Sequence, residues 1–208
     1  HATGAIGRKG KVAEGNTVGD TAPEARDRHM SVEVNAAAVE AQDDAFVFLD
    51  CPGSVEFLQE TRNALVGADA AVVVCEPEAD KAAMLLPVLK ILEQSGIPHF
   101  LFVNKIEQAR GSIQNLLTAL APMSAAALVA RQIPIRSGDR VDGFVDLALE
   151  RAYHYEMGKQ SQQIALAEEL KADESQARFH MQEQLADHDD VLLEQLLSSG
   201  KIIFRLFV

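Results

Sequence analysis

Phe46-Val47-Phe48-Leu49-Asp50-Cys51-Pro52-Gly53 is the stretch whose reading decides the fold. Four apolar residues run without alternation, stop at a carboxylate, and meet a Pro-Gly pair that breaks the backbone. A continuous apolar run bounded by turn residues suits a strand buried on both faces of a parallel sheet. In an open α/β sheet, ligands bind beyond the carboxyl ends of the strands, where Asp50 sits. An acid there can hold a hard cation such as magnesium, which takes oxygen ligands. Gly53 leaves its backbone N–H open to an anion. The plainer alternative is a strand closed by a polar turn that binds nothing.

Two further runs of the same kind follow. Residues 70–75 (Ala-Ala-Val-Val-Val-Cys) and 100–103 (Phe-Leu-Phe-Val) read as buried strands. Helices are expected between them. The first spans 55–66, with Phe57, Leu58, Thr61, Ala64 and Leu65 on one face and Gly67 as its stop. The second spans 79–95, with Ala82, Leu85, Leu86, Leu89 and Leu92 facing inward and Gly96 closing it. Pro87 either kinks that helix or marks the first turn of a shorter one starting near Leu86. Strand, helix, strand, helix, strand at this spacing gives βαβ units and a parallel sheet. Upstream, Met30, Val32 and Val34 alternate with polar residues and predict a half-buried strand, turned by Gln42-Asp43-Asp44 into the 46–50 strand. Residues 1–30 are rich in glycine and charge and read as a helix end followed by a mobile loop; Arg8, Lys9 and Lys11 make an anion site or a solvated surface.

The third strand ends in Asn104-Lys105-Ile106-Glu107. An Asn amide can meet a purine's edge, a Lys stem can lie over the base plane, and a carboxylate two residues on can accept two N–H groups from guanine. A polar loop without a ligand is the competing reading. Beyond Ile113–Leu120, a helix, the character changes. Residues 128–135, a Gly138-Asp139 turn, 143–149 and 151–155 suggest a small antiparallel sheet. Residues 164–187 read as mostly helix, with Leu166, Leu170, Ala177, Met181 and Leu185 as an interrupted apolar face. A shorter helix runs from Asp189/Asp190 to Leu197, started by Asp and ended by Gly200. The expected division is a core over 1–130, an inserted α+β subdomain over 131–200, and a core strand returning at 201–208.

The totals bound these readings. The 208 residues allow one domain, or one with an insertion, and 48% apolar residues can build a core. With 31 acids against 19 bases the net charge is −12, which argues against nucleic-acid binding through overall charge. Cys51 and Cys75 lack metal-ligand spacing and are expected to be reduced thiols of a cytoplasmic protein. No apolar run approaches a membrane span, and no signal peptide is expected.

Asp50-Cys51-Pro52-Gly53 and, about fifty residues on, Asn104-Lys105-Ile106-Glu107 form a two-motif guanine-nucleotide signature. The surrounding text resembles the translational GTPases of the elongation factor G and elongation factor G-like group. Thr3-Gly4-Ala5-Ile6, Gly10-Lys11-Val12 and Gly15-Asn16-Thr17 resemble the segment before that family's first switch loop, and Arg28-His29-Met30-Ser31-Val32 its end. Val55-Glu56-Phe57 follows the D-x-P-G as in the family. Gln132-Ile133-Pro134-Ile135 with Gly143-Phe144-Val145-Asp146-Leu147 resembles the start of the inserted subdomain, and Ala186-Asp187 with 189–194 its last helices.

The resemblance implies a P-loop NTPase-type G domain, α/β with a mostly parallel central sheet, that binds GTP or GDP with Mg2+ and hydrolyses GTP on the ribosome, with no sequence-specific nucleic acid and no membrane as partner. It implies that Ser31 and Asp50 serve the metal, that Gly53 donates its N–H to the terminal phosphate, and that Asn104, Lys105 and Glu107 hold the base. The sequence departs from the family in four places. Nothing matches G-x-x-x-x-G-K-[ST], so a longer parent chain is expected and this stretch alone should be inactive. Ser54 stands where the family has the His that positions the attacking water. Glu107 stands where it has Asp, a change of one methylene expected to cost about tenfold in base selectivity. The Ser-Ala base motif that should follow Val208 is absent. A hydrolysis-impaired, nucleotide-responsive docking module is the alternative function; an ATP-using relative is disfavoured by Asn104-Lys105.

Overall fold

The computed structural model describes residues 6–19, 21–41, 43–109, 113–138, 140–156 and 159–203. The chain divides into two compact units, residues 1–73 with 86–102, and residues 74–85 with 103–208.

In the first unit, a 3-10 turn at Val12–Glu14 precedes α1 (Pro23–Arg28). This short helix was not expected. Pro23 presets its first turn, Ala25 is buried, and His29 ends it in the left-handed region with its N–H on Ala25 and Arg26 carbonyls. The strand expected from Met30 begins instead at Asn35. Strand β1 (Asn35–Ala41) pairs antiparallel with β2 (Asp44–Asp50), from Asn35 opposite Asp50 to Ala41 opposite Asp44. That register uses up β2 at Asp50. Beyond it Pro52 has no N–H to offer a ladder, and the Met30 N–H is taken by the Ala25 carbonyl at 3.1 Å. Asp43, at φ 66°, makes the expected hairpin turn, and Gln42 lies outside the described residues.

A 3-10 turn at Val55–Phe57 leads into α2 (Leu58–Leu65), whose buried residue is Leu65. Strands β3 (Ala71–Cys75) and β4 (His99–Val103) flank α3 (Leu86–Ser95), and the division between units falls within both strands. The Ala71 N–H donates to the Pro98 carbonyl and the Asn104 N–H to that of Cys75, so partner numbers rise together and the pair is parallel. Pro87 is the second residue of α3; a 3-10 stretch, Ala79–Leu85, replaces the first half of the single long helix. Leu89, Ile91 and Leu92 are its buried face, and Gly96, at φ 65°, stops it.

Burial corrects one expectation. The three strands are not covered on both faces. Val73 and Cys75 are buried while Val72 is 62% and Phe100 65% exposed, and Phe46, Val47 and Phe48 of β2 are exposed. Phe46 and Phe48 lie on one face with ring centroids 6.4 Å apart. The described residues bury one side of β3, while in β2 only Leu49 is half-buried.

In the second unit, the Ala79–Leu85 stretch packs on α4 (Ile113–Leu120), burying Ala82, Leu116 and Leu120. A four-stranded antiparallel meander follows, β5 (Gln132–Ser137), β6 (Arg140–Asp146), β7 (Arg151–His154) and β8 (Gln162–Ile164), in spatial order β5-β6-β7-β8. The fourth strand claims Ile164, which the helical reading had taken. Gly143 lets β7 approach: a Cβ there would run into the Tyr153 carbonyl oxygen. Helix α5 (Lys171–Ala186) packs on α6 (Asp190–Ser199). Met181 and Ala186 are buried on α5 beside Glu174 and Gln182, so its inner face is partly polar. The Asp189 carboxylate caps α6, accepting the Val191 and Leu192 N–H groups, and Gly200 ends it at φ 70°. Ile202 is buried, and the Gln182 amide donates to its carbonyl at 3.2 Å. Of the strand expected over 201–208, residues 201–203 are not in a strand and the remainder lies outside the described residues.

Candidate functional site

The candidate residues fall into two groups, one in each unit. In the first unit the end of β2 delivers Asp50, and the chain leaving α1 brings Ser31 to it across nineteen residues of sequence. The Ser31 hydroxyl donates to Asp50 Oδ2 at 3.4 Å. Gly19 passes close by; a Cβ there would lie 3.2 Å from the same Oδ2 and 3.5 Å from the Asn35 amide nitrogen. Asn35 is the cross-strand partner of Asp50. A hydroxyl and a carboxylate within hydrogen-bond reach are oxygen donors of the kind magnesium takes, so the residues present fit that ion. Gly53 is exposed, with open space where a Cβ would stand. Ser54 precedes the Val55–Phe57 turn and its carbonyl accepts the Phe57 N–H at 3.0 Å. Arg28 ties the approach to Ser31 to this turn, with its guanidinium 5.9 Å over the Phe57 ring and 3.5 Å from Glu56. Cys51 is half-buried, and burial pushes its thiol up, so it stays protonated rather than nucleophilic.

In the second unit the ends of β3 and β4 are stapled where the Asn104 N–H meets the Cys75 carbonyl at 2.8 Å. Lys105 then turns the chain in the left-handed region, at φ 54° and ψ 38°, into a 3-10 turn over Ile106–Gln108. For a residue with a Cβ this conformation costs about 1–2 kcal/mol. It separates Asn104 from Glu107 by one tight reversal, and both side chains are exposed. The Lys105 ammonium donates to Glu76 Oε1 at 2.5 Å, and Lys81 reaches the other oxygen of that carboxylate at 2.5 Å. These hydrogen bonds, the one from Lys105 first, hold the Glu76 carboxyl down to about 2. Lys81 is pushed up by Glu76 and then by Glu78, 2.9 Å away. From strand β5, Arg136 donates to the Ile106 carbonyl at 2.9 Å.

Glu76 and Arg136 were not singled out from sequence. Glu76 had a signal, since it follows the end of a strand neighbouring the one that delivers Asn104. Arg136 had none, because its role depends on the path of β5. The Arg8, Lys9 and Lys11 cluster is exposed, and Lys11 pairs with Glu14 at 2.8 Å, as a solvated surface would.

Residues 1–193 match the family described as elongation factor Tu GTP binding domain. The chain is 46% identical over 195 residues to an elongation factor G-like protein of Synechocystis sp., covering 94% of this chain and 29% of that protein. It is 23% identical over 202 residues to elongation factor G of Mycoplasma pneumoniae, covering 96% of this chain and 29% of that protein. A crystal structure of a Thermus thermophilus protein superposes with a TM-score of 0.82 at 28% identity, over 97% of this chain and 30% of the other. The chain thus spans under a third of the relatives it matches. The D-x-P-G and N-K-x-E stretches lie inside the matched range, and the expected α/β class of a P-loop G domain agrees with the superposition. Of the functions weighed from sequence, the match favours the GTP-binding domain over the docking module. The chain belongs to the elongation factor Tu GTP binding domain family.

Proposed function

We propose that this chain is the guanine-nucleotide domain of an elongation factor G-like GTPase that works in the cytoplasm on the ribosome. The observation that carries the reading is the meeting of Ser31 and Asp50 at 3.4 Å, two oxygen donors brought together from distant sequence in a chain of this family. Ser31 and Asp50 hold magnesium, which when bound neutralises charge on the phosphates. The Gly53 N–H and the Ser31 N–H donate to the terminal phosphate, stabilising the charge that develops as water attacks in line. Asn104 meets the edge of the base, the Lys105 stem covers its plane, and Glu107 accepts its two N–H groups. Ser54 is a short neutral hydroxyl and a poor acceptor of the attacking water's proton, so turnover depends on groups from the partner.

The test is GTP turnover by the full-length gene product with and without ribosomes, beside Asp50→Asn. Ribosome-stimulated turnover that drops on the substitution is expected. Failure to bind guanine nucleotide, or turnover indifferent to Asp50, refutes the assignment.

A further inference from the structure

We propose that Arg136, carried by the inserted sheet, is a positioning residue for guanine recognition. The inference rests on the assignment of Asn104, Lys105 and Glu107 to the base.

The pairing of β5 with β6 runs regularly from Gln132 opposite Asp146 to Ile135 opposite Gly143, then jumps so that Arg136 faces Val141. Asp142 is the extra residue. A bulge of this kind twists the strand locally and re-aims the side chain at the jump. Here it aims Arg136 at the turn that carries the base residues. The guanidinium donates to the Ile106 carbonyl at 2.9 Å, and β6 also packs on that turn. The same carbonyl accepts the Ala109 N–H at 3.2 Å, so it has two donors, one local and one from the sheet.

Ile106 lies between Lys105 and Glu107, and its carbonyl sits in the peptide that leads directly into Glu107. Lys105 occupies a strained left-handed conformation, which persists only when its surroundings over-determine it. The Arg136 bond is one such constraint. Arg136 is half-buried, so its bond is less screened by solvent than the exposed pairs around Lys105. Removing it leaves the turn intact through Ala109 but frees the peptide that orients the Glu107 carboxylate. The partner of that carboxylate is the N1–H and 2-amino pair of guanine. Loss of Arg136 should therefore be felt most by the ligand that offers both groups.

The test measures binding of GDP and IDP to the full-length gene product, wild type against Arg136→Gln and Arg136→Lys. IDP lacks the 2-amino group and keeps everything else. A charge-assisted hydrogen bond has a strength that converts to about tenfold in affinity. Arg136→Gln, whose neutral amide is shorter and uncharged, is expected to weaken GDP about tenfold and IDP no more than about threefold, and Arg136→Lys, which keeps the charge, to recover part of the loss. Equal weakening of GDP and IDP shows a general structural role and overturns the inference. Unchanged GDP affinity overturns it too. If the wild type does not prefer GDP to IDP, the base assignment itself fails and takes the inference with it. If Arg136→Gln is too unstable to assay, Arg136→Lys decides: its ammonium, on a stem of different reach, restores the single bond to the Ile106 carbonyl only in part, so a GDP-selective loss upholds the inference and indifference overturns it.

Discussion

Asp146→Ala should loosen the sheet that carries Arg136. One oxygen of Asp146, Oδ1, accepts three donors: the Arg131 guanidinium, the Ala148 N–H at 3.1 Å and the Leu149 N–H at 2.8 Å. The carboxylate is 8% exposed and sits beside fully buried Leu147 and Val145. Two backbone bonds at about 1 kcal/mol each and one charge-assisted bond at about 1.5 kcal/mol sum to roughly 3.5 kcal/mol. Arg131 is 44% exposed and regains water when released, which trims the loss to about 3 kcal/mol. The assay is native-state amide hydrogen exchange across residues 140–154 in the full-length gene product. A loss of about 3 kcal/mol in opening free energy speeds exchange on the order of a hundredfold. Asp146→Asn keeps an acceptor for both backbone N–H groups and loses only the charge, so it should show roughly a third of the energetic effect. Less than about fivefold acceleration for Asp146→Ala would falsify the view that this carboxylate pins the turn.

Ser54→His should raise ribosome-stimulated GTP turnover, because an imidazole can orient and deprotonate water where a serine hydroxyl cannot; an unchanged rate places the limiting step elsewhere. Glu76, held at about 2 by Lys105 and Lys81, has a folded value below its ordinary one, so its contribution is complete above about pH 4.5 and fades as pH falls toward 2. A carboxyl NMR titration should find Glu76 still ionised at pH 4, and a midpoint near the ordinary range refutes the ion-pair geometry. Gln182→Ala removes the buried donor to the Ile202 carbonyl and should cost about 2 kcal/mol, read as a lower midpoint in denaturant unfolding.

The local signals of the sequence were sound where backbone chemistry decides the outcome. Gly96 and Gly200 end helices in the left-handed region, Asp189 caps α6, and Asp43 turns the hairpin. The three apolar strands were legible as strands, but their burial was not. An unbroken apolar run specifies that both faces want cover, and composition cannot say which segment provides it. In the described residues Val72 and Phe100 keep water on one side. The false strand at Met30 arose because alternation is a weak signal when the partner strand has already ended at Asp50. Ser31 does meet Asp50, and Asn104 and Glu107 do flank one tight turn. The supports were not, because Arg136 reaches Ile106 only through a bulge that no local pattern announces.

Each strand of the four-stranded sheet pairs only with a strand next to it in the chain, so the whole β5–β8 platform closes through short loops. Such low contact order lets it zip up early and quickly, with little entropy lost per closure. Its folding nucleus can therefore form within residues 132–164, ahead of the sequence-distant pairing that unites Cys75 with Asn104. The slower turn over Lys105–Gln108 would then mature against a template already in place.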